Sequence, residues 1–429
     1  MSKYRLISVS ALVSATLSMG LALPAVADTS FGGIIFTDMY YTNRNTANNS
    51  AGTISGSTPR AYSYNAGRVE LPNISRIRVS WSNEDAVGLY TELGLGGSAG
   101  ATGVGVRHAY GTYVLSPQWQ LLAGHTSSPF SPLFPNQLIG NSASGSAAAP
   151  SAFGSISGND RVGGNHNVGK GYGELDSGRS PQVRLTYTLP DQHGAIAIAL
   201  IDANLGASIN GKLEASTTTA PARASKMPRL DIGAAYNLAN VRIFPGLSIQ
   251  QQDYAGVGVN SGKTVTTSAA SLGMQTAHGA FEFSGEVNFG KNWRNAGFSL
   301  GNSAAALGSG AYSYAPATTS ASTRIASTKN TAFWIDLGYR MTTDNTQSVI
   351  HLVYGEMKSR ADGVPAAQDF EHKSTMVGLS WPIDLPNIAR GLTIRPEVFL
   401  YDEGRSRQGT NSVNYGKELN AGVQLQYTF

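Results

Sequence analysis

Seven histidines, His108, His125, His166, His193, His278, His351 and His372, are the side chains best suited to hold a metal or move a proton. No pair of them has the spacing that puts two imidazoles on one face of a helix, as a zinc site of that kind requires. They read as turn or loop histidines. Gly154-Ser155-Ile156-Ser157-Gly158 matches Gly-x-Ser-x-Gly in letters. A nucleophilic serine needs a strand-to-helix elbow to expose it, and here no helix follows. Gly103-Val104-Gly105 lacks the strand and helix that would make it a phosphate cradle. The chain has no cysteine, which excludes a thiolate nucleophile, a cysteine-ligated zinc and disulfides. The expectation is a protein that is not an enzyme and has no catalytic, cofactor or metal site.

What remains is a set of arginines placed one residue apart from apolar neighbours. Arg76 and Arg78 alternate with Ile77 and Val79, Arg184 sits between Val183 and Leu185, and Arg107 and Arg395 stand in similar runs. An alternation of period two belongs to a strand with one apolar and one polar face. The clearest case is Glu418–Phe429. Leu419, Ala421, Val423, Leu425, Tyr427 and Phe429 share one face; Glu418, Asn420, Gly422, Gln424, Gln426 and Thr428 share the other. Such a pattern over about ten residues is that of a transmembrane β-strand, although an amphipathic strand of a soluble sandwich has the same period.

The other end favours the membrane. Lys3 and Arg5 precede an apolar stretch diluted by Ser8, Ser10, Ser14 and Ser18, and Ala25-Val26-Ala27 supplies a small-residue cleavage site. Residues 1–27 read as a cleaved signal peptide and 28–429 as one outer-membrane barrel domain. Removing Lys3 and Arg5 from the 31 basic residues leaves 29 against 27 acidic ones, so nothing points to nucleic acid. No later run of about 18 apolar residues exists for a helical span, and only a closed barrel otherwise satisfies backbone hydrogen bonds in lipid.

Alternating segments recur along the chain, joined by tight turns and long polar loops in strict succession. The turns are Ser82–Asp85, Ser116–Gln118, Pro190–Gly194, Thr276–Gly279, Thr342–Thr346 and Pro382–Gly391. The polar stretches include Thr42–Arg68, Ser127–Ser180 and the Asn/Ser/Ala/Gly run up to Asn330. The reading is an all-β fold, a transmembrane antiparallel barrel of about sixteen strands, with fourteen and eighteen as neighbouring counts. Sixteen is a size that leaves an aqueous channel. Trp81, Trp119 and Trp381, beside short turns, fit an interfacial aromatic belt or ordinary strand packing.

The segment Val106-Arg107-His108-Ala109-Tyr110-Gly111 through Leu121-Leu122-Ala123-Gly124-His125-Thr126 resembles the hairpin of strands four and five in trimeric bacterial porins, closest to the dicarboxylate-type group. It departs from that group in lacking the N-terminal coiled-coil segment of some members. The resemblance implies that the loop after strand five folds into the lumen, its charged side chains facing a basic wall. That loop would bring Asp160, Arg161, Lys170, Glu174, Asp176 and Arg179. The wall would be Arg76, Arg78 and Arg107, with Arg184 and Arg395 inward by parity. Such a pair would set a transverse field at the narrowest point. Alternatively the arginines only keep a wet lumen solvated. Glu282, Glu286, Asp336, Arg340 and Glu397 also fall on inward faces, so both signs are present.

Three classes of function follow. The first is an outer-membrane porin for passive diffusion of small hydrophilic solutes, anions among them, exported by the Sec route, set in outer-membrane lipid and lipopolysaccharide, and homotrimeric by resemblance. The second is a non-conducting barrel that serves as partner scaffold, electron-conduit sheath or receptor. The third is a lipase-type barrel enzyme, for which no Ser/His/carboxylate set can be assembled.

Overall fold

The computed structural model describes residues 28–45, 64–83, 86–98, 101–136, 172–175, 178–190, 193–202, 222–255, 263–298, 312–314, 324–343, 346–362, 370–408, 411–414 and 416–429. The proposed signal peptide therefore lies outside the described residues. So do Asp160, Arg161, Lys170 and Asp176.

Sixteen antiparallel strands close into a barrel. They are β1 (Asp28–Asn45), β2 (Tyr64–Ser82), β3 (Val87–Ser98), β4 (Ala101–Val114), β5 (Trp119–Ser127), β6 (Arg179–Thr188), β7 (Gly194–Ile201) and β8 (Arg229–Leu238). There follow β9 (Val241–Ala255), β10 (Lys263–His278), β11 (Phe281–Lys291), β12 (Arg324–Thr342), β13 (Gln347–Asp362), β14 (Phe370–Ser380), β15 (Leu392–Gln408) and β16 (Lys417–Thr428). Short strand pieces at 222–225, 312–314, 383–384 and 411–414 extend neighbouring strands. The barrel shuts where β16 pairs with β1, from Ile34 opposite Thr428 to Asn45 opposite Lys417. The backbone N–H groups of Gly33 and Phe429 each donate to the other's carbonyl, at 3.0 and 3.1 Å.

Burial is inverted relative to a water-soluble protein. Leu89, Val183, Ile198, Leu247, Phe289, Leu337, Leu352 and Leu400 are exposed, whereas Asp231, Gln250, Asn288, Ser359 and Gln424 are buried. In water this would forfeit roughly 1.5–3 kcal/mol per large apolar side chain left exposed. In lipid the same surface is the low-energy one, and a closed ladder leaves no backbone group unpaired. Aromatic pairs gather at the tight-turn end: Trp119 with Tyr187 at 4.7 Å, Phe281 with Tyr339 at 5.2 Å and Tyr427 with Phe429 at 6.3 Å between ring centroids. Trp119 and Trp381 are exposed there, and Trp81 is half-buried.

Several strands run further than alternation suggests. β2 starts at Tyr64 inside a stretch read as loop, β4 starts at Ala101, β12 starts at Arg324, and β15 continues to Gln408. These additions lie at the long-loop end. Pairing continues there, as from Ser327 opposite Asp362 to Asn330 opposite Ser359. Beyond the hydrocarbon both faces of a strand can meet water, so the apolar–polar code lapses while the hydrogen-bond ladder goes on.

Candidate functional site

Inside the barrel the wall divides into two unlike parts. On the first, β2 to β6, Glu92 of β3 faces inward and is nearly buried. It accepts hydrogen bonds from Arg107 Nε at 2.7 Å and the Tyr90 hydroxyl at 3.0 Å, with Arg76 Nε at 3.6 Å. Arg78 stands directly across from Glu92 in the β2–β3 register. Arg107 reaches this group through a β-bulge. Glu92 pairs with His108 and Leu93 with Val106, so Arg107 is the extra residue of β4. A bulge re-aims side chains, and here it turns both Arg107 and His108 towards Glu92.

Like His125, His351 and His372, His108 is a strand residue, contrary to the reading of these as turn or loop histidines. Its Nε2 accepts from Arg179 Nε at 3.1 Å, which leaves the ring proton on Nδ1, 2.8 Å from the Thr126 hydroxyl. Arg184, on β6 opposite Leu122, lies beside Tyr110. Arg76, Arg78, Arg107, Arg179 and Arg184 thus share one wall, and among the described side chains the glutamate placed between them is Glu92. Arg395 does not join them. It is buried on β15, where Nη1 donates to Asn136 Oδ1 at 2.6 Å and lies 3.9 Å from Glu397.

The second part, β8 to β15, is where the described residues of the loop after β5 are held. Ser128 donates to Asp231 of β8 at 2.5 Å and Ser131 to Glu286 of β11 at 2.7 Å. The Asn136 backbone N–H donates to Asp336 of β12 at 2.9 Å. His351 of β13 donates from Nδ1 to Asp336 at 2.8 Å and accepts from Asn136 Nδ2 on Nε2 at 3.2 Å. With the bond from Arg395, Asn136 is fixed by three strands. Asp231 also pairs with Arg229 at 3.0 Å, and Arg229 bonds the Ala296 carbonyl at 3.2 Å and lies over Phe298 at 5.1 Å.

Between these polar ties the loop makes apolar cores within the barrel. Phe130 and Leu175 pack with Trp293, Phe298 and Met357; Leu133 packs with Phe244 and Trp334; Tyr172 packs with Met376, Phe399 and Tyr401. Glycines admit the loop backbone. A Cβ on Gly233 would collide with the Pro129 carbonyl, and one on Gly355 with the Tyr172 carbonyl. Glu174 is buried in this region, and the other described loop residues bring hydroxyls, an amide and apolar rings to a wall where Asp231, Glu286 and Asp336 stand beside Arg229 and Arg395. The resemblance had implied loop charges facing arginines. In the described residues, Arg179 is instead the first residue of β6 and stands among the arginines.

Tyr90 and Glu92 alternate with Leu89 and Leu93 on β3, so parity makes them inward, but nothing local marks the bulge on β4 that turns His108 and Arg107 together towards them. Parity missed Ser128, Ser131 and Asn136 because a loop has no period. The inward glycines at 233 and 355 were the available signal, since a bare position on a wall marks close backbone approach. Among the described residues no group of three or more His, Asp or Glu is placed to hold a metal ion.

No protein-family profile and no curated protein sequence matches the chain. Solved structures do. The outer membrane channel DcaP of Acinetobacter baumannii is similar over 96% of this chain and 99% of its own, at 17% identity and a TM-score of 0.62. The fold is that of the bacterial outer-membrane porins. The anion-selective porin from Comamonas acidovorans shares it at 10% identity and a TM-score of 0.53, over 94% of this chain and all of its own. OmpT of Vibrio cholerae, as a loop L8 deletion mutant, does so at 11% identity and 0.51, over 94% and 100%. The porin fold places the charged clusters described above along the interior of a membrane-spanning cylinder.

Proposed function

We propose that the chain is an outer-membrane channel for passive diffusion of small hydrophilic solutes, with a preference for anions. The observation that carries this reading is the difference between the two walls: on β8 to β15 the carboxylates and the arginines Arg229 and Arg395 alike are buried and bonded, whereas on β2 to β6 it is chiefly arginines that border the lumen. Asp231, Glu286, Asp336 and Glu397 are buried and bonded within the wall or to the loop. Arg76, Arg107, Arg179 and Arg184 are less buried, and among the described side chains Glu92 is the carboxylate that lies between them. A carboxylate sealed behind hydrogen bonds contributes less to the field along the lumen than a guanidinium bordering water. No catalysis and no cofactor enter this account.

Secretion by the Sec route with cleavage after Ala27 belongs to the same reading. So does assembly as a homotrimer in a lipopolysaccharide-containing leaflet. OmpT of Vibrio cholerae, similar at a TM-score of 0.51, has been solved in a trimer form. The outer faces of β4 and β5 carry Ala109, Gly111 and Ala123, small residues suited to close approach of a second copy. Outward Lys291, Lys329, Lys358 and Lys373, near the long-loop end, suit anionic headgroups.

The test is the reversal potential of the refolded protein in planar bilayers under a KCl gradient. Stepwise conductance with an anion-selective reversal potential supports the reading. A folded barrel that never conducts overturns it.

A further inference from the structure

Phe134 sits between two anchors. Leu133 is buried against Phe244 and Trp334, Pro135 is buried, and Asn136 is bonded to Asp336, His351 and Arg395. Yet the Phe134 side chain is 63% exposed. It borders a hollow of about 510 Å³ at the tight-turn end of the barrel, below the loop. An aromatic ring held out by fixed neighbours offers a flat apolar face with little ordering left to do on binding. The volume suits a small organic molecule.

The polar lining carries both signs. Arg242 is oriented over the Phe244 ring at 5.0 Å. Arg340 is ion-paired with Glu282, and both remain partly open to solvent. Asp336, also at the hollow, is already engaged by His351 and Asn136. A simple anion drawn to Arg242 meets Glu282, and a simple cation drawn to Glu282 meets two arginines. A molecule bearing an ammonium and a carboxylate on one carbon can satisfy both.

We propose that this hollow is a recognition site for zwitterionic solutes with a planar apolar group, the chemistry of an aromatic amino acid, distinct from the arginine cluster on β2 to β6. Passage of such a solute through the lumen rests on the channel reading; its binding does not. The ring would lie on Phe134, the carboxylate on Arg242 and the ammonium on Glu282.

The experiment adds L-phenylalanine, benzoate or phenethylamine to the refolded protein in planar bilayers and records interruptions of the open-channel current. A parallel saturation-transfer NMR titration of the refolded protein reads binding without conduction. L-phenylalanine is expected to bind and interrupt the current. Phe134→Ala should weaken it about tenfold and Phe134→Tyr should restore it, in keeping with the worth of one aromatic stack. Glu282→Gln should weaken L-phenylalanine while leaving benzoate unchanged or stronger. Absence of binding, binding indifferent to Phe134→Ala, or equal response of L-phenylalanine and benzoate to Glu282→Gln would each overturn the proposal. Binding by NMR in a barrel that never conducts would sustain the site and remove the channel reading.

Discussion

The two parts of the inner wall use the same residue types for different ends. On β8 to β15, Arg229, Asp231, Asp336 and Arg395 are buried and tie the loop to the barrel. On β2 to β6, Arg76, Arg107 and Arg184 are only partly buried and border the lumen around Glu92. A charge that is paired, hydrogen-bonded and dry is a structural fastener whose loss is costly. The same charge beside water is inexpensive to remove but sets the potential that a passing ion meets. Parity along a strand says that a residue points inward. Whether inward means wet or packed depends on what the loop after β5 covers.

Variants can break this contrast. The largest effect is expected for Asp231→Ala, which leaves Arg229 buried without its carboxylate and removes the acceptor of Ser128 and Ser248. A loss of about 3–5 kcal/mol is expected, read as a lowered unfolding midpoint in urea, together with larger and noisier conductance as the loop comes away. Next stands Gly233→Val, whose side chain occupies the place of the Pro129 carbonyl. It should cost about 1–3 kcal/mol by overpacking and raise single-channel conductance. Unchanged conductance in both would show that the described part of the loop does not narrow the pore.

On the other wall the expected effects lie chiefly in selectivity, with little change in stability for Arg78→Ala. Arg78→Ala should move the reversal potential towards cations, and Glu92→Gln should move it towards anions by leaving Arg76 and Arg107 uncompensated. Shifts of the same sign from both would refute the arginine wall as the source of the field. The smallest effect is expected for Lys358→Ala, which removes an exposed pair with Glu371 at 3.2 Å. Such pairs contribute about 0–1 kcal/mol, so its unfolding midpoint should match that of the parent chain.

Much of this was legible in the residues. Glu418–Phe429 shows the period of two that the closing strand obeys, and the tight turns read at Ser82, Ser116 and Thr342 fall between strands, while that read at Thr276 begins only at Gly279 because Thr276–His278 belong to β10. Strand ends were misplaced where lipid stops enforcing the alternation, as at Tyr64 and Arg324. The site was only partly visible: Arg76, Arg78, Arg107 and Arg184 do face one another's neighbourhood, but Arg395 went to the other wall although the same parity rule selected it. Rings such as Phe244, Trp334 and Phe399, on faces that parity makes inward, give no hint from their own strands of what they pack against.

The sequence by itself determined that this chain forms a membrane barrel of about sixteen strands, because a two-residue period in a lipid solvent is a local rule that a strand satisfies alone; closure fixed the number at sixteen. Tertiary structure alone decided which inward charges meet water. The bulge at Arg107, the fit of Pro129 against Gly233 and the three bonds on Asn136 join residues far apart in the chain. Closing the barrel is what brings them within reach of one another.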